Sequence, residues 1–292
     1  MPRVTVFGSL HYDITVHSPA RPRKGETVTG SRWAPKCGGK GGNQAVSAAR
    51  AGAEAEMIGA VGDDDFGSTL LANLDRAGVD RRLVSVEPDT GSGISVAIFD
   101  AEGDYGAVIV SGANLKLTAT HAMAAGKDLG QTRILVLQNE VPEVGNIAAA
   151  KSVRASGGIT LLNAAPTRPV SDELMKLVDV LIVNAIEAEA FAEIAPITSL
   201  DEAMAAAHRL TLLCPSVVVT AGGEGVAFAD RAGNTAAIPA ALIRVASTHG
   251  AGDEFVGVLA AELARGTSME RALHVANHAA ALLVSTPEER RL

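Results

Sequence analysis

Short, nearly continuous apolar runs recur along the chain at Val4–Phe7, Met57–Val61, Ile134–Gln138, Ile159–Asn163, Val180–Asn184 and Val217–Thr220. Runs of this kind, rich in Val, Ile and Leu and lacking polar alternation, predict strands buried on both faces. Between them the apolar spacing turns helical. Ala45, Ala48, Ala49 and Gly52 fall at i, i+3, i+4 and i+7, with Gly52 placed to stop the helix. Phe66, Leu70, Leu74 and Ala77 make a second stripe, ended by Gly78. Strands alternating with helices predict βαβ units, a mostly parallel central sheet and a three-layer α/β fold.

Two regions break this rhythm. Residues 9–37 contain SLHYDITVHS and GETVTGSRW, which are β-prone and alternating, with no helical stripe. Residues 92–111 read as a hairpin with its turn near Glu102–Gly103–Asp104. Together they predict a small antiparallel sheet appended to the main body; an edge extension of the large sheet fits the pattern equally well. No repeat, low-complexity tract or Pro-rich linker divides the chain, so one domain over residues 1–292 is expected.

Composition narrows the function classes. Of 292 residues, 47% are hydrophobic, enough for a large core. The net charge of −8 gives no electrostatic support to a nucleic-acid surface. No apolar run approaches the roughly 18–20 residues of a membrane span, and MPRVTVFGSL does not read as a secretory signal. Cys37 and Cys214 form no CxxC pair, which excludes a disulfide scaffold and a Cys-ligated zinc site. A soluble, cytoplasmic, globular protein is expected, with neither nucleic acid nor membrane as partner.

Candidate chemistry lies at the strand exits and in three glycine-rich stretches. Gln138–Asn139–Glu140, Asn163, Asn184 and Thr220 end separate strands, where open α/β sheets place their ligands; turn chemistry explains such residues too. Cys37–Asn43 (CGGKGGN) runs straight into a helix, so bare backbone and helix N–H groups meet around Lys40. It is not a Walker A loop, because Gly41 follows Lys40. A flexible turn, with Lys40 a solvated charge, is the plain alternative. Thr220–Gly225 (TAGGEG) follows a strand, and reads either as a bed for an adenine or phosphate or as a hairpin turn. Ser247–Phe255 (STHGAGDEF) places small residues at a helix start, where unpaired N–H groups favour an anion. Asp253 there could simply favour the helix N-terminus. A carboxylate beside an anion hole nonetheless suits phosphoryl transfer, with the carboxylate taking the acceptor's proton.

Taken together, these motifs resemble the ribokinase, or PfkB, family of sugar and nucleoside kinases. The resemblance rests on GGKGGNQAV (38–46), GDDDFG (62–67), NAAP (163–166), NAIEAE (184–189), TAGGEG (220–225) and HGAGDEF (249–255), all in the family's order. It implies a large α/β body with a small β-sheet lid, formed within about 9–37 and 92–111, and dimerisation through that lid. It implies ATP-dependent, Mg²⁺-dependent phosphorylation of the hydroxymethyl group of a ribose-like sugar, D-ribose first, with a nucleoside or another sugar as the alternative. Asp253 would be the base, and Gly250, Ala251 and Gly252 the anion hole. His11, Asp13, Gly39, Lys40, Gly41, Gly42, Asn43 and Glu140 would bind the sugar. Asn184 and Glu187 would organise Mg²⁺ and the ATP phosphates through water, and Thr220, Gly222, Gly225, Gly252 and Asn277 would contact the nucleotide.

Two departures stand out. The family's Asn-x-Asp sugar motif is His11–Tyr12–Asp13 here, and a neutral imidazole offers one donor and one acceptor in a bulkier ring. Ser247 stands where the family usually has Asp, a residue associated with a monovalent-cation site, and the chain ends at STPEERRL without a further glycine-containing loop. K⁺ activation is therefore expected to be weak or absent. His249, where small or β-branched residues are common, reads as a filler or a phosphate-side contact.

Overall fold

The computed structural model describes residues 3–102, 104–287 and 290. The chain begins with β1 (Arg3–Phe7), β2 (His11–His17), β3 (Arg32–Gly38), α1 (Lys40–Arg50), β4 (Glu54–Gly62) and α2 (Asp65–Ala77). It continues through β5 (Asp80–Glu87), β6 (Gly93–Phe99), β7 (Tyr105–Val110), α3 (Ala119–Ala124), α4 (Gly126–Leu129), β8 (Ile134–Gln138), α5 (Glu143–Ala155) and β9 (Ile159–Asn163). Next come α6 (Asp172–Met175), β10 (Val180–Asn184), α7 (Ala185–Ala192), α8 (Leu200–Leu210) and β11 (Ser216–Thr220). The last elements are β12 (Gly225–Asp230), β13 (Thr235–Pro239), α9 (Ala251–Ala264) and α10 (Met269–Ser285).

The large sheet has the order β13-β12-β11-β10-β9-β8-β1-β4-β5. It is parallel from β5 to β11, and β12 and β13 close one end antiparallel. Alternation within each strand feeds a core on each face. Phe7, Leu135 and Leu137 pack under α3 to α8, while Val4, Val6, Ile134 and Val136 pack under α1, α2, α9 and α10. That two-sided burial is why the central strands read as continuous apolar runs.

The small sheet has the order β3-β2-β6-β7. Its outer pairs are antiparallel and its middle pair, β2 with β6, is parallel. The parallel pair follows from connectivity, since α1, β4, α2 and β5 intervene between β2 and β6. The hairpin expected at 92–111 is β6–β7, although Gly103 of its expected turn lies outside the described residues. The GDDDFG segment fastens this sheet to the body. Asp64 caps α2 by accepting from the Gly67 N–H (2.7 Å), and accepts from the Ser92 N–H (2.8 Å) and hydroxyl (2.7 Å) just before β6. Phe66, at the start of α2, turns from the large core and stacks on Tyr12 of β2 at 4.5 Å. Among the described residues, no helix is long and apolar enough to cross a membrane.

Candidate active site

The site is assembled where α1 starts against the β1–β2 connection. Gly39 precedes α1 at φ 83°, a left-handed conformation that disfavours any side chain. A Cβ on Gly41 would lie 2.6 Å from the Ser9 nitrogen, so the helix start and the connection touch backbone to backbone. The Gly42 N–H donates to the Ser9 carbonyl at 2.9 Å. Glu140, just beyond β8, locks this junction: its Oε2 accepts from the Lys40 backbone N–H (2.9 Å) and from the Ser9 hydroxyl. The buried His11 brings Nδ1 to 3.7 Å from the same oxygen. The Asn114 amide pairs with the Leu10 backbone at 2.9 and 2.8 Å and so fixes where β2 leaves the body.

Asp13 projects from β2 beside Ser95 of β6, its partner in register, and accepts the Ser95 hydroxyl. Burial raises its pKa, opposed by that hydrogen bond and by the charges of His11 and His249. His249 stands within electrostatic reach of this carboxylate.

Asp253 lies in the first turn of α9, 7% exposed. Gly250 caps this helix at φ 80°, the Ala251 N–H donates to the Thr248 carbonyl (3.3 Å), and no side chain accepts from the first-turn N–H groups, an arrangement that favours an anion at Gly252 and Asp253. Asn43 donates to Asp253 Oδ2 (2.9 Å) and Gln44 donates to Oδ1 (2.9 Å). Burial raises the Asp253 pKa, opposed by Lys40 and the two amides. A carboxyl lifted toward the working pH yet held by donors can accept a proton and later release it.

A cleft of about 130 Å³ opens beside Asp253, lined by Lys40, Asn184, Glu187, Thr220 and the Gly250–Gly252 turn, among others. It is smaller than the roughly 300–1,000 Å³ of a pocket that encloses a whole ligand. Asn184 and Glu187 form a reciprocal cap on α7: Asn184 Oδ1 accepts the Glu187 N–H (2.8 Å) and Glu187 Oε2 accepts the Asn184 N–H (2.9 Å). Burial also raises the Glu187 pKa, opposed by that N–H and by Lys40. Three expected nucleotide residues lie outside the lining of this cleft. Gly222 sits in a short turn; Gly225 opens β12, where a Cβ would meet the Ile238 carbonyl at 2.1 Å; Asn277 donates to the Pro239 carbonyl at 3.1 Å. Ser247 accepts the His249 N–H at 3.3 Å. Among the described residues, no group of three or more His, Cys, Asp or Glu side chains is placed to hold a metal ion.

The sequence reading missed Gln44, Ser9, Ser95 and Asn114. Gln44 alone carried a signal, a polar residue set on the apolar side of α1 beside Ala45 and Ala48.

The pattern of pfkB family carbohydrate kinases matches residues 1–291. The chain belongs to that family. It is 35% identical to the ribokinase of Bacillus subtilis (strain 168) over 284 residues, 97% of this chain and 93% of the relative. It is 33% identical to the ribokinase of Mus musculus, over 96% of this chain and 88% of the relative. The structure of Arabidopsis thaliana ribokinase complexed with ribose and ATP superposes with a TM-score of 0.92 at 28% identity, covering 98% of this chain and 93% of that one. The mostly parallel sheet with a small second sheet is thus an architecture shared with solved ribokinases.

Proposed function

We propose that this family member transfers the γ-phosphoryl group of ATP to the hydroxymethyl group of a ribose-like sugar, D-ribose first. The observation that carries the reading is Asp253: a buried carboxylate, held by two amides, in the first turn of a helix whose N-terminus no side chain caps. The sugar hydroxyl attacks the γ-phosphorus, its proton passes to Asp253, and the bond to the β-phosphate oxygen breaks to release ADP. First-turn N–H groups at Gly250–Gly252 meet the charge on the transferring phosphoryl oxygens. Asp13, Asn43 and Glu140 read the sugar hydroxyls, which donate and accept in pairs. The small sheet covers the sugar and limits attack by water.

Glu187 supplies one hard oxygen ligand at the cleft, and no cage of side chains surrounds it among the described residues. That donor set fits Mg²⁺, which keeps its waters and binds through one or two carboxylates and phosphates. When bound, Mg²⁺ neutralises phosphate charge; Asn184 and Glu187 would orient its waters. Ser247 offers a neutral hydroxyl already used in its own turn, which supports a weak or absent K⁺ effect. A reaction that consumes ATP fits the cytoplasm.

The far face of the small sheet carries Trp33 (66% exposed), Val108 (67%) and Val110 (52%) beside Ile14, Val16, Val96 and Ile98. An apolar face of this extent supports a homodimer joined through the small sheet. A second substrate reading, a nucleoside or another sugar, rests on His11 in the sugar motif.

The test is Mg²⁺- and ATP-dependent ADP release over D-ribose, other sugars and nucleosides, with Asp253→Asn as control. Turnover on D-ribose that falls about 10²–10⁴-fold in the variant supports the reading. Turnover confined to a nucleoside or hexose moves the substrate, and binding without turnover on any acceptor overturns the kinase.

A further inference from the structure

A carboxylate can only accept hydrogen bonds, and that fixes the direction of a buried chain of amides behind Asp253. Gln44 must turn Nε2 toward it. The two hydrogens of that nitrogen are then spent on Asp253 Oδ1 (2.9 Å) and on Asn163 Oδ1 (3.0 Å). Gln44 Oε1 therefore faces Gln138, whose Nε2 donates to it at 2.8 Å. Gln138 Oε1 is left buried without a partner, pointing at Gly8, where a Cβ would lie only 1.9 Å away. Gln138 is itself held from behind, because Asn146 donates to its backbone carbonyl at 2.9 Å. Both glutamines are completely buried. An unsatisfied acceptor is costly in such a place, and reversing Gln138 would set its oxygen against Gln44 Oε1.

We infer that Gln44 is a positioning residue for phosphoryl transfer, anchored by Gln138. It commits Oδ1 of Asp253 to the interior and leaves Oδ2, on the Asn43 side, to receive the hydroxyl proton. It also favours the ionised carboxylate, against the burial that raises the Asp253 pKa. The inference rests on Asp253 being the base, and its test separates the two ideas.

Gln44→Met keeps the length of the side chain and removes the amide. Loss of one hydrogen bond to a charged acceptor should lower kcat roughly 10–100-fold. The acid limb of the kcat–pH profile should move to higher pH, while KM for the sugar changes less than about threefold. A merely structural residue would lower the folded fraction without moving that limb. Gln138→Met, which removes only the anchor, should shift the limb the same way by less, and serves if Gln44→Met does not fold. Asp253→Asn is measured in parallel, and Gln44→Met added to it should cost no further activity. An inactive Asp253→Asn beside a Gln44→Met of wild-type kcat and wild-type acid limb overturns the positioning role alone. Retained turnover in Asp253→Asn overturns the base, and the inference with it.

Discussion

The GGKGG stretch contains glycines with different duties, and the difference can be measured. A Cβ on Gly41 would lie 2.6 Å from Ser9 N, 2.7 Å from the Gly8 carbonyl carbon and 2.7 Å from Ser9 O. All three are backbone atoms, so none can swing away. A Cβ on Gly42 would meet Leu10 Cδ2 at 2.8 Å, the end of a flexible side chain, and then nothing nearer than Ser9 O at 3.9 Å. Each change to Ala gains about 0.5–1 kcal/mol of helix preference. Overpacking costs roughly 1–3 kcal/mol, and an immovable backbone contact puts Gly41→Ala at the top of that range. The net expectation is a loss of about 2–2.5 kcal/mol for Gly41→Ala and a change within about 1 kcal/mol for Gly42→Ala. Thermal or urea unfolding should show a melting midpoint roughly 5–10 °C lower in Gly41→Ala alone. Pushing the start of α1 off the β1–β2 connection also displaces Asn43 from Asp253, and a displacement of about 1 Å can cost about 10²-fold in kcat. A Gly41→Ala protein with wild-type midpoint and turnover, or a Gly42→Ala protein worse than it, would refute the packing argument.

Four further outcomes follow from the structure. Because burial raises the Asp253 pKa and only the ionised form accepts a proton, kcat should fall with decreasing pH through a midpoint above the ordinary Asp value near 3.9, read from a kcat–pH profile. His11→Asn replaces the single donor and single acceptor of a neutral imidazole by a smaller amide with two donor hydrogens and a carbonyl acceptor, and should change the kcat/KM ratio of D-ribose to the next best sugar by about 2–10-fold, the size of one neutral hydrogen bond. Replacing Na⁺ by K⁺ should leave the initial rate within about twofold; a several-fold rise would show that Ser247 does not disable the cation site. Val108→Lys on the far face of the small sheet should convert a dimer to a monomer by light scattering, and a wild-type monomer would remove the proposed interface.

The legible part of this protein is the part written into local chain. Six strands announced themselves because both faces of β1, β4, β8, β9, β10 and β11 are buried, and apolar continuity needs no partner to be recognised. Gly78 ends α2 in the left-handed conformation, so that helix end could be placed from one residue. Edge strand β5 (DRRLVSVE) was not read, since its charged start resembles a turn until it is laid beside β4. Phe66 is in step with Leu70 and Leu74 in the sequence, but only the folded position of β2 reveals Tyr12 as its partner.

The same distinction runs through the site. Asp253 was legible because its helix start and its glycines are neighbours in sequence. Its orientation was not, because Gln44 reaches Gln138, Asn163 and Asp253 across separations of 94, 119 and 209 residues. A glutamine on the apolar side of a helix is ambiguous alone, since the buried amide must find donors and acceptors somewhere and the sequence does not say where. The constraint runs the other way once the fold is known. An acceptor-only carboxylate sets Gln44, Gln44 sets Gln138, and Gln138 leaves its oxygen against Gly8. A glycine at the end of the first strand is thereby tied to the charge on a residue in the ninth helix.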